Sequence, residues 1–547
     1  MKKIITKSFN ALNSDSFKNS IASAYANVYI MLARSVGWAN TSNSESLDDS
    51  FVAEPYDTIA YKNDIRKKGI ILKKISSSDI QPVVPRTDWV SGEVYFAYDQ
   101  TANLYIKQAD TAITSGNVNV SNILANTITT TNVVLLNLAF TTPSIGLNDL
   151  IKIGEEIKEV VAINAAGDFI QVNSAFTSAY TANTLYLVNT SQYEFYNKFY
   201  VRNNLDQVFK CLANGNTAGT ISTSKPEITI GGQLPENPYI ETADGYKWKY
   251  LYTISSGLKS KFFTDRYMPV TTDPTVVNSA EGGRIDIVQI VNGGNGYFNG
   301  DTTNNYPIVA VSGDGSGAQF TLDILNGVIT EVNIVDGGAN YTNMTLEIED
   351  PLKLPGTSNG SLRAVISPST GHGFNPVEEL GSSEQMISVD FQSDVSEQYP
   401  TYSDGTTDYR QIALVRNPKL SNGTFGFTTT YPMYTKITVA TPSIAPFAPD
   451  SIVYAGNSFS NAVFSATVVH FNSIENTLYV NDLQGDITSI DGENLYEKDN
   501  TGNYSQVFTY ISPDINILSG DILYIENRDK ITRNPNQTET VKIVVEF

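Results

Sequence analysis

The chain holds almost no thiol or imidazole. Its 547 residues include one cysteine, Cys211, and two histidines, His372 and His470. A single cysteine forms no intrachain disulfide, so folding does not depend on an oxidising compartment. Two histidines and one thiol, far apart in sequence, do not make a zinc centre. Cys211 follows Val208-Phe209-Lys210 and reads as a buried strand residue; a nucleophile would need a base beside it. Positive charge is also short: 36 Lys and Arg stand against 57 Asp and Glu, a net charge of −21 and a pI near 4.5. Such a surface repels phosphate backbones, so no nucleic-acid partner is expected. No run of roughly 18 apolar residues occurs, so no membrane insertion is expected. The start, Met1 to Ile5, has two lysines and two isoleucines, but the apolar run stops at Thr6-Lys7, too soon for a secretory signal. Synthesis and assembly in a cytoplasm follow as the expectation.

What the chain does have is aromatic and branched surface. Tyr (31), Phe (24) and abundant Val, Ile and Thr suit pleated, half-buried positions, and 38 glycines punctuate them. The composition predicts a mainly β fold, and the length about three or four domains at roughly 150 residues each. One amphipathic N-terminal helix is predicted over residues 14–35, capped by Ser14 or Asp15, with Phe17, Ile21, Tyr25, Val28 and Leu32 on one stripe and Trp38 packing back past Gly37. Lys62, Arg66, Lys67, Lys68, Lys73 and Lys74 cluster; this reads as a solvated loop and strand edge, with a docking patch for an acidic neighbour as the alternative.

Core segments at 1–107, 189–280, 372–446 and 497–547 are interrupted by predicted β-modules at 108–188, 281–371 and 447–496. In the first, aromatics thin out and short alternating runs follow one another, with a hairpin expected at Asn164–Asp168. In the second, Val288-Gln289-Ile290-Val291-Asn292-Gly293-Gly294-Asn295-Gly296-Tyr297 recurs 44 residues later as Val332 to Tyr341. Each copy reads as a strand, a Gly-Gly turn and a covering tyrosine. Two copies are too few for a solenoid.

Catalytic and cofactor motifs are not found. Gly313-Asp314-Gly315-Ser316-Gly317-Ala318 imitates a phosphate loop, but a strand follows it and no Lys-Ser/Thr closes it. Glu155-Glu156 and Glu378-Glu379 are sequence neighbours, which on a strand face opposite ways. Asp404–Asp408 and Asp499–Thr501 read as turns rather than calcium loops, and His372, between two glycines, as a hydrogen-bonded turn residue. The expectation is no enzyme, no cofactor and no metal.

Four segments stand out instead: Val83-Val84-Pro85-Arg86-Thr87-Asp88-Trp89; Asp244-Gly245-Tyr246-Lys247-Trp248-Lys249-Tyr250-Leu251-Tyr252; Asp408-Tyr409-Arg410-Gln411-Ile412 with Asn417-Pro418; and Gly520 to Arg528, continuing through Asn536-Gln537-Thr538-Glu539 to a last strand, Val541 to Phe547. Alternation puts Tyr246, Trp248 and Tyr250 on one strand face and the lysines on the other. In this order, and with Met31 to Trp38 before them, the segments resemble the gene product eight family of baseplate wedge proteins in T-even-like contractile-tailed phages. The resemblance covers the core segments; the extra length falls in the inserts. It implies an antiparallel β-sandwich core with a few helices, a two-fold homodimer, and contacts with other baseplate wedge subunits. It further implies a place in the virion tail baseplate, where the protein holds its neighbours before attachment and re-packs when the tail contracts. Arg86, Asp88, Trp89, Tyr246, Trp248, Arg410, Glu526, Asn527 and Arg528 are the candidate structural or interface residues it marks. The rival expectations are a host-receptor or glycan-binding tail protein, whose platforms the Asn/Thr/Tyr-rich inserts would supply, and a tail-associated hydrolase.

Overall fold

All six residues of Val28–Ala33 are buried, and they form the middle strand of a sheet. The computed structural model describes residues 7–22, 26–39, 52–98, 199–215, 221–229, 239–392, 407–534 and 537–547, with short strands at 47–48, 111–112, 133–135, 150–153, 156–163, 169–172 and 185–188. The chain is mainly β, with antiparallel sheets and few helices. It divides into two units: Met1–Arg86, Thr253–Asp273 and Asn375–Phe547 make one, Thr87–Tyr252 and Pro274–Phe374 the other.

In the first unit, five strands run in the order Thr430–Pro432, Gly69–Lys74, Val28–Ala33, Thr407–Arg416, Asp521–Arg533. Val28, Ile30, Leu32, Ile412 and Leu414 leave one face of this sheet. They pack against Ile80, Ile387, Val389, Val541 and Ile543 of a second sheet, ordered Tyr267–Pro269, Ile80–Pro85, Glu384–Phe391, Glu539–Glu546. That contact is a β-sandwich. Tyr29, Met31, Leu72, Ala413, Val415 and Ile522 leave the other face and are covered by Ile65 and Ile515. A strand buried on both faces reads as an unbroken apolar run.

This double burial corrects the predicted 14–35 helix. The helix is Lys7–Ala22; Val28 and Leu32 belong to the strand, and Tyr25 lies outside the described residues. Val28 and Leu32 happen to continue the spacing of Phe17 and Ile21, and periodicity alone does not separate a fully buried strand from a helix. Ser14 is therefore no cap. It is buried within the helix, where Gln385 Nε2 donates to its hydroxyl at 2.9 Å. Phe17 and Ile21 do face the sandwich core. The basic run also differs from expectation. Its first half is a helix, Ile59–Lys67, capped by the Thr58 hydroxyl on the Tyr61 amide, with Arg66 and Lys67 in the last turn where the helix dipole favours cations.

The same unit contains a closed six-stranded barrel, in the order Thr435–Val439, Thr477–Gly485, Phe464–Asn472, Ile452–Ala455, Asn494–Glu497, Asn500–Ile511. Its interior is Ile437, Val453, Phe464, Val468, Leu478, Val480, Leu495 and Val507. It spans 435–511, wider than the 447–496 read from sequence, because the first and last strands pair with each other, Lys436 opposite Ile511.

The second unit has an antiparallel sheet ordered Tyr200–Arg202, Gln207–Asn214, Tyr246–Thr253, Ile240–Glu241. A separate six-stranded sheet uses Thr111–Ala112, Val133–Leu135, Leu150–Ile153, Glu156–Ile163, Phe169–Val172 and Leu185–Val188; the expected hairpin at 164–168 lies outside the described residues. The two repeat copies are alike in detail. Ile285–Asn292 pairs with Ser361–Ile366, Val328–Asp336 with Gln319–Leu325, and Val309–Gly313 with Met344–Ile348. In one copy the Asn292 carboxamide oxygen accepts the Gly294 amide and the Tyr297 hydroxyl accepts the Gly360 amide. In the other, Asp336 accepts from Gly338, and Tyr341 from Ala318. Gly294 and Gly338 have φ of 59° and 62°, which glycine adopts without cost. Each tyrosine closes a separate small core.

Candidate functional site: strand-end clusters

The second unit gathers Asp88, Trp89, Tyr246 and Trp248 around one end of a sheet. Tyr246 and Trp248, two apart on their strand, share its inner face and stack with ring centroids 5.4 Å apart at 13°. Tyr95 meets both edge-on, and its amide donates to the Tyr246 hydroxyl at 3.2 Å. Burial pushes the Tyr95 phenol up to about 12. Tyr246 and Trp248 are wholly buried, as is Tyr250 nearly so, while Lys247 and Lys249 are only half-buried. Cys211 lies in this cluster, and burial pushes its thiol well up, away from the nucleophilic thiolate.

Polar groups finish the edge. Arg202 pairs with Asp88 at 2.5 Å and Asp206 at 2.7 Å. The Trp89 indole donates to Ser222 Oγ, which donates to Asp244 Oδ2. Asp244 also accepts the amides of Thr223 and Ser224 and the Thr242 hydroxyl. Burial alone would raise this carboxyl, but the hydrogen bonds together outweigh it and hold it below the usual carboxylate range. Asp244 thus fastens the 222–224 loop to the turn before Tyr246.

In the first unit, Arg410, Asn527, Glu526 and Arg528 lie on adjacent strands. Asn527 sits opposite Gln411 and accepts from its amide at 3.0 Å. Its own amide donates to the Tyr61 hydroxyl at 2.7 Å and to the Ala53 carbonyl, tying the last strands to the Ile59–Lys67 helix. Arg410 is buried. Burial lowers the nearby Arg34 guanidinium; Asp64, at 3.8 Å, opposes that shift and Arg410 adds to it. Glu526 and Arg528 share the half-exposed face with Tyr524 and pair at 3.3 Å. Asn417 exchanges two hydrogen bonds with Asn27, at 2.7 and 2.8 Å. Gly520, at φ 81°, offers its carbonyl to Arg66 at 2.6 Å. Arg86 also belongs to the first unit, where its guanidinium lies 4.7 Å over the Phe263 ring.

The marked residues therefore fall into three places rather than one. Tyr246, Trp248 and Arg410 are interior; Asp88, Trp89, Glu526 and Arg528 reach the surface in part.

Several pairings escaped sequence reading because their partners are remote. Arg533, with no exposed surface, pairs with Glu539 at 3.1 Å and donates to the carbonyls of Phe391 and Gln537. Burial raises the Glu539 carboxyl, against the opposing pull of Arg533. Lys210, also wholly buried, sits 3.2 Å from His372 Nδ1 and 3.4 Å over the Tyr98 ring.

Glu378 and Glu379 lie on a short helix, Pro376–Glu379, not a strand; one is exposed and the other buried. The 404–406 stretch and Glu155 lie outside the described residues. Gly313–Ala318 connects two strands of different sheets, Val309–Gly313 and Gln319–Leu325, rather than closing a hairpin, and its glycines make room for Tyr341: a Cβ on Gly315 would run into the tyrosine ring. Among the described residues no group of three or more His, Cys, Asp or Glu is placed to hold a metal, and no helix is long and apolar enough to cross a membrane. No protein-family model matches the sequence, and no curated protein matches it.

Proposed function

We propose that this chain is a structural subunit of a contractile-phage tail baseplate wedge. It works as a homodimer, holds neighbouring wedge proteins together and re-packs during tail contraction, without catalysis. It is assembled in the bacterial host cytoplasm and resides in the virion. The observation that carries this reading is the collinear order of the motif segments. What the fold does with them is in keeping with a scaffold. Asn527, Asn417 and Gly520 fasten the C-terminal third of the chain to its first hundred residues. Glu526 and Arg528 leave partly exposed charge on the same strand as Asn527. A subunit that survives rearrangement of its contacts needs a rigid interior and interfaces with two packings of similar energy. The test is the solution mass by light scattering, alone and after co-expression with the wedge proteins of the same phage. A mass near twice 59.8 kDa and a stable wedge complex are expected. A trimer, or no complex with any wedge protein, would sink the reading.

A glycan-binding tail protein is the second reading, and one feature favours it. Tyr454, Tyr496 and Tyr504 lie opposite one another on three neighbouring barrel strands, with centroids 5.8 and 5.5 Å apart. They point away from the barrel interior, and Tyr504 is exposed. A glycan array read against Tyr504→Ala separates the two readings.

A further inference from the structure

The basic run of the first unit is mostly consumed within the unit. Lys62 pairs with Asp57, and Lys68 with Asp64 at 2.5 Å. Arg66 donates to Asn63 and to the Gly520 carbonyl. Lys73 and Lys74 donate to the carbonyls of Asp390 and Phe427. Lys67 makes no hydrogen bond or ion pair with a described residue. It lines a cleft of about 360 Å³ whose apolar wall is Met433, Leu483, Ile515 and Ile517. Asn481 adds an amide there, held in place by the Lys68 carbonyl at 3.1 Å. Among the described residues no Asp or Glu lines the cleft, although the chain carries a net charge of −21.

A cation with no hydrogen bond or ion pair to a described residue, set beside an apolar wall, matches a carboxylate joined to an apolar group. The volume is at the low end for a binding pocket, where about 300 to 1,000 Å³ is usual, and suits two side chains rather than a nucleotide or a cofactor. We propose that this cleft receives a glutamate and an adjacent leucine-like side chain from a peptide segment of another wedge protein. The identity of that partner rests on the wedge reading; the cleft's chemistry does not.

The probe is N-acetyl-Leu-Glu-Leu-amide, titrated calorimetrically into the full chain beside its Leu-Gln-Leu counterpart. The Glu peptide should bind saturably at millimolar concentration and more weakly as salt rises. The Gln peptide should bind about fivefold more weakly, and Lys67→Gln should weaken the Glu peptide by the same factor, as for a partly exposed ion pair. Ser512→Trp, at the cleft wall, should block both peptides. The proposal is overturned if the Gln peptide binds as tightly as the Glu peptide, if Lys67→Gln changes nothing, if binding survives Ser512→Trp, or if neither peptide binds. Circular dichroism confirms that each variant is folded. Peptide binding without wedge assembly would refute the wedge reading alone; assembly without peptide binding would refute the cleft alone.

Discussion

The Arg533–Glu539 pair allows a prediction whose sign depends on which partner is removed. Arg533 is fully buried, and the Glu539 side chain is 13 % exposed. Breaking a buried pair costs about 3–5 kcal/mol because a charge is left behind, whereas replacing both partners by apolar groups is often close to neutral. The residual exposure of Glu539 places each single variant at the lower end. Glu539→Gln and Arg533→Met should each cost about 3 kcal/mol at neutral pH, and Arg533→Met with Glu539→Leu about 1 kcal/mol or less. Against a typical stability of about 5–15 kcal/mol, that cost is large enough to measure.

The pH dependence separates the two single variants. Glu539 is already raised above its ordinary value of 4.5 by burial, with Arg533 pulling it down. Without Arg533 it rises further. In Arg533→Met the folded state therefore binds a proton that the unfolded state releases, and stability increases as pH falls from the raised folded value towards 4.5. In Glu539→Gln the stranded group is a guanidinium that does not deprotonate in this range, so its deficit stays constant. Urea unfolding at several pH values provides the measurement. Native-state hydrogen exchange of Asp521–Arg533 and Glu539–Glu546 assigns the loss to these strands. Equal pH profiles for the two variants, or a double variant costing the sum of the singles, would refute the argument that stranded charge sets the cost.

Gly338→Ala places a Cβ 2.5 Å from the Ala318 amide nitrogen at φ 62° and should cost about 2–3 kcal/mol, whereas Gly356→Ala, at φ 79° with nothing nearby, should cost only about 1 kcal/mol; denaturant midpoints decide. Asp244→Asn should cost about 1–2 kcal/mol at neutral pH. The Asp244 carboxyl is held below its ordinary 3.8, so the wild-type advantage persists above that value and fades as pH falls through the lower folded one; thermal melts across that range test it. Tyr95 is raised to about 12 from 10.0, so the unfolded chain loses its phenolic proton first and stability falls as pH rises between those values. Phenolate absorbance should lag behind that of a Tyr95→Phe-corrected unfolded control.

Much of the architecture was legible wherever one face of a strand is dry and the other wet. Tyr246 to Tyr250 alternates in composition, and the structure buries its aromatics and half-exposes its lysines. The 44-residue repeat was legible because its turn demands glycine at the same place twice. Alternation vanishes where both faces are covered. Val28–Ala33 carries no polar residue to reveal its period, so it joined the helical stripe of Phe17 and Ile21. Barrel closure was illegible for another reason. The pairing of Lys436 with Ile511 spans a long stretch of chain, and nothing local distinguishes a strand that closes a barrel from one that adds to a sheet.

The marked residues show the same division. Sequence singles out residues by type, and Trp248, Tyr246 and Arg410 are conspicuous by type, yet all three are interior. An aromatic strip at a strand end is a core element when a loop closes over it, as the Asp244-fastened loop does here, and an interface anchor only when nothing does. Whether a loop closes depends on hydrogen bonds such as Trp89–Ser222–Asp244, whose members are dispersed along the chain. Lys67 is the converse. By type it was one of six basic residues in a run. Five heads find acceptors inside the unit, and the sixth is left over an apolar cleft. A scaffold's working surface is then better sought where its interior pairing leaves one group over than where its sequence is most ornate.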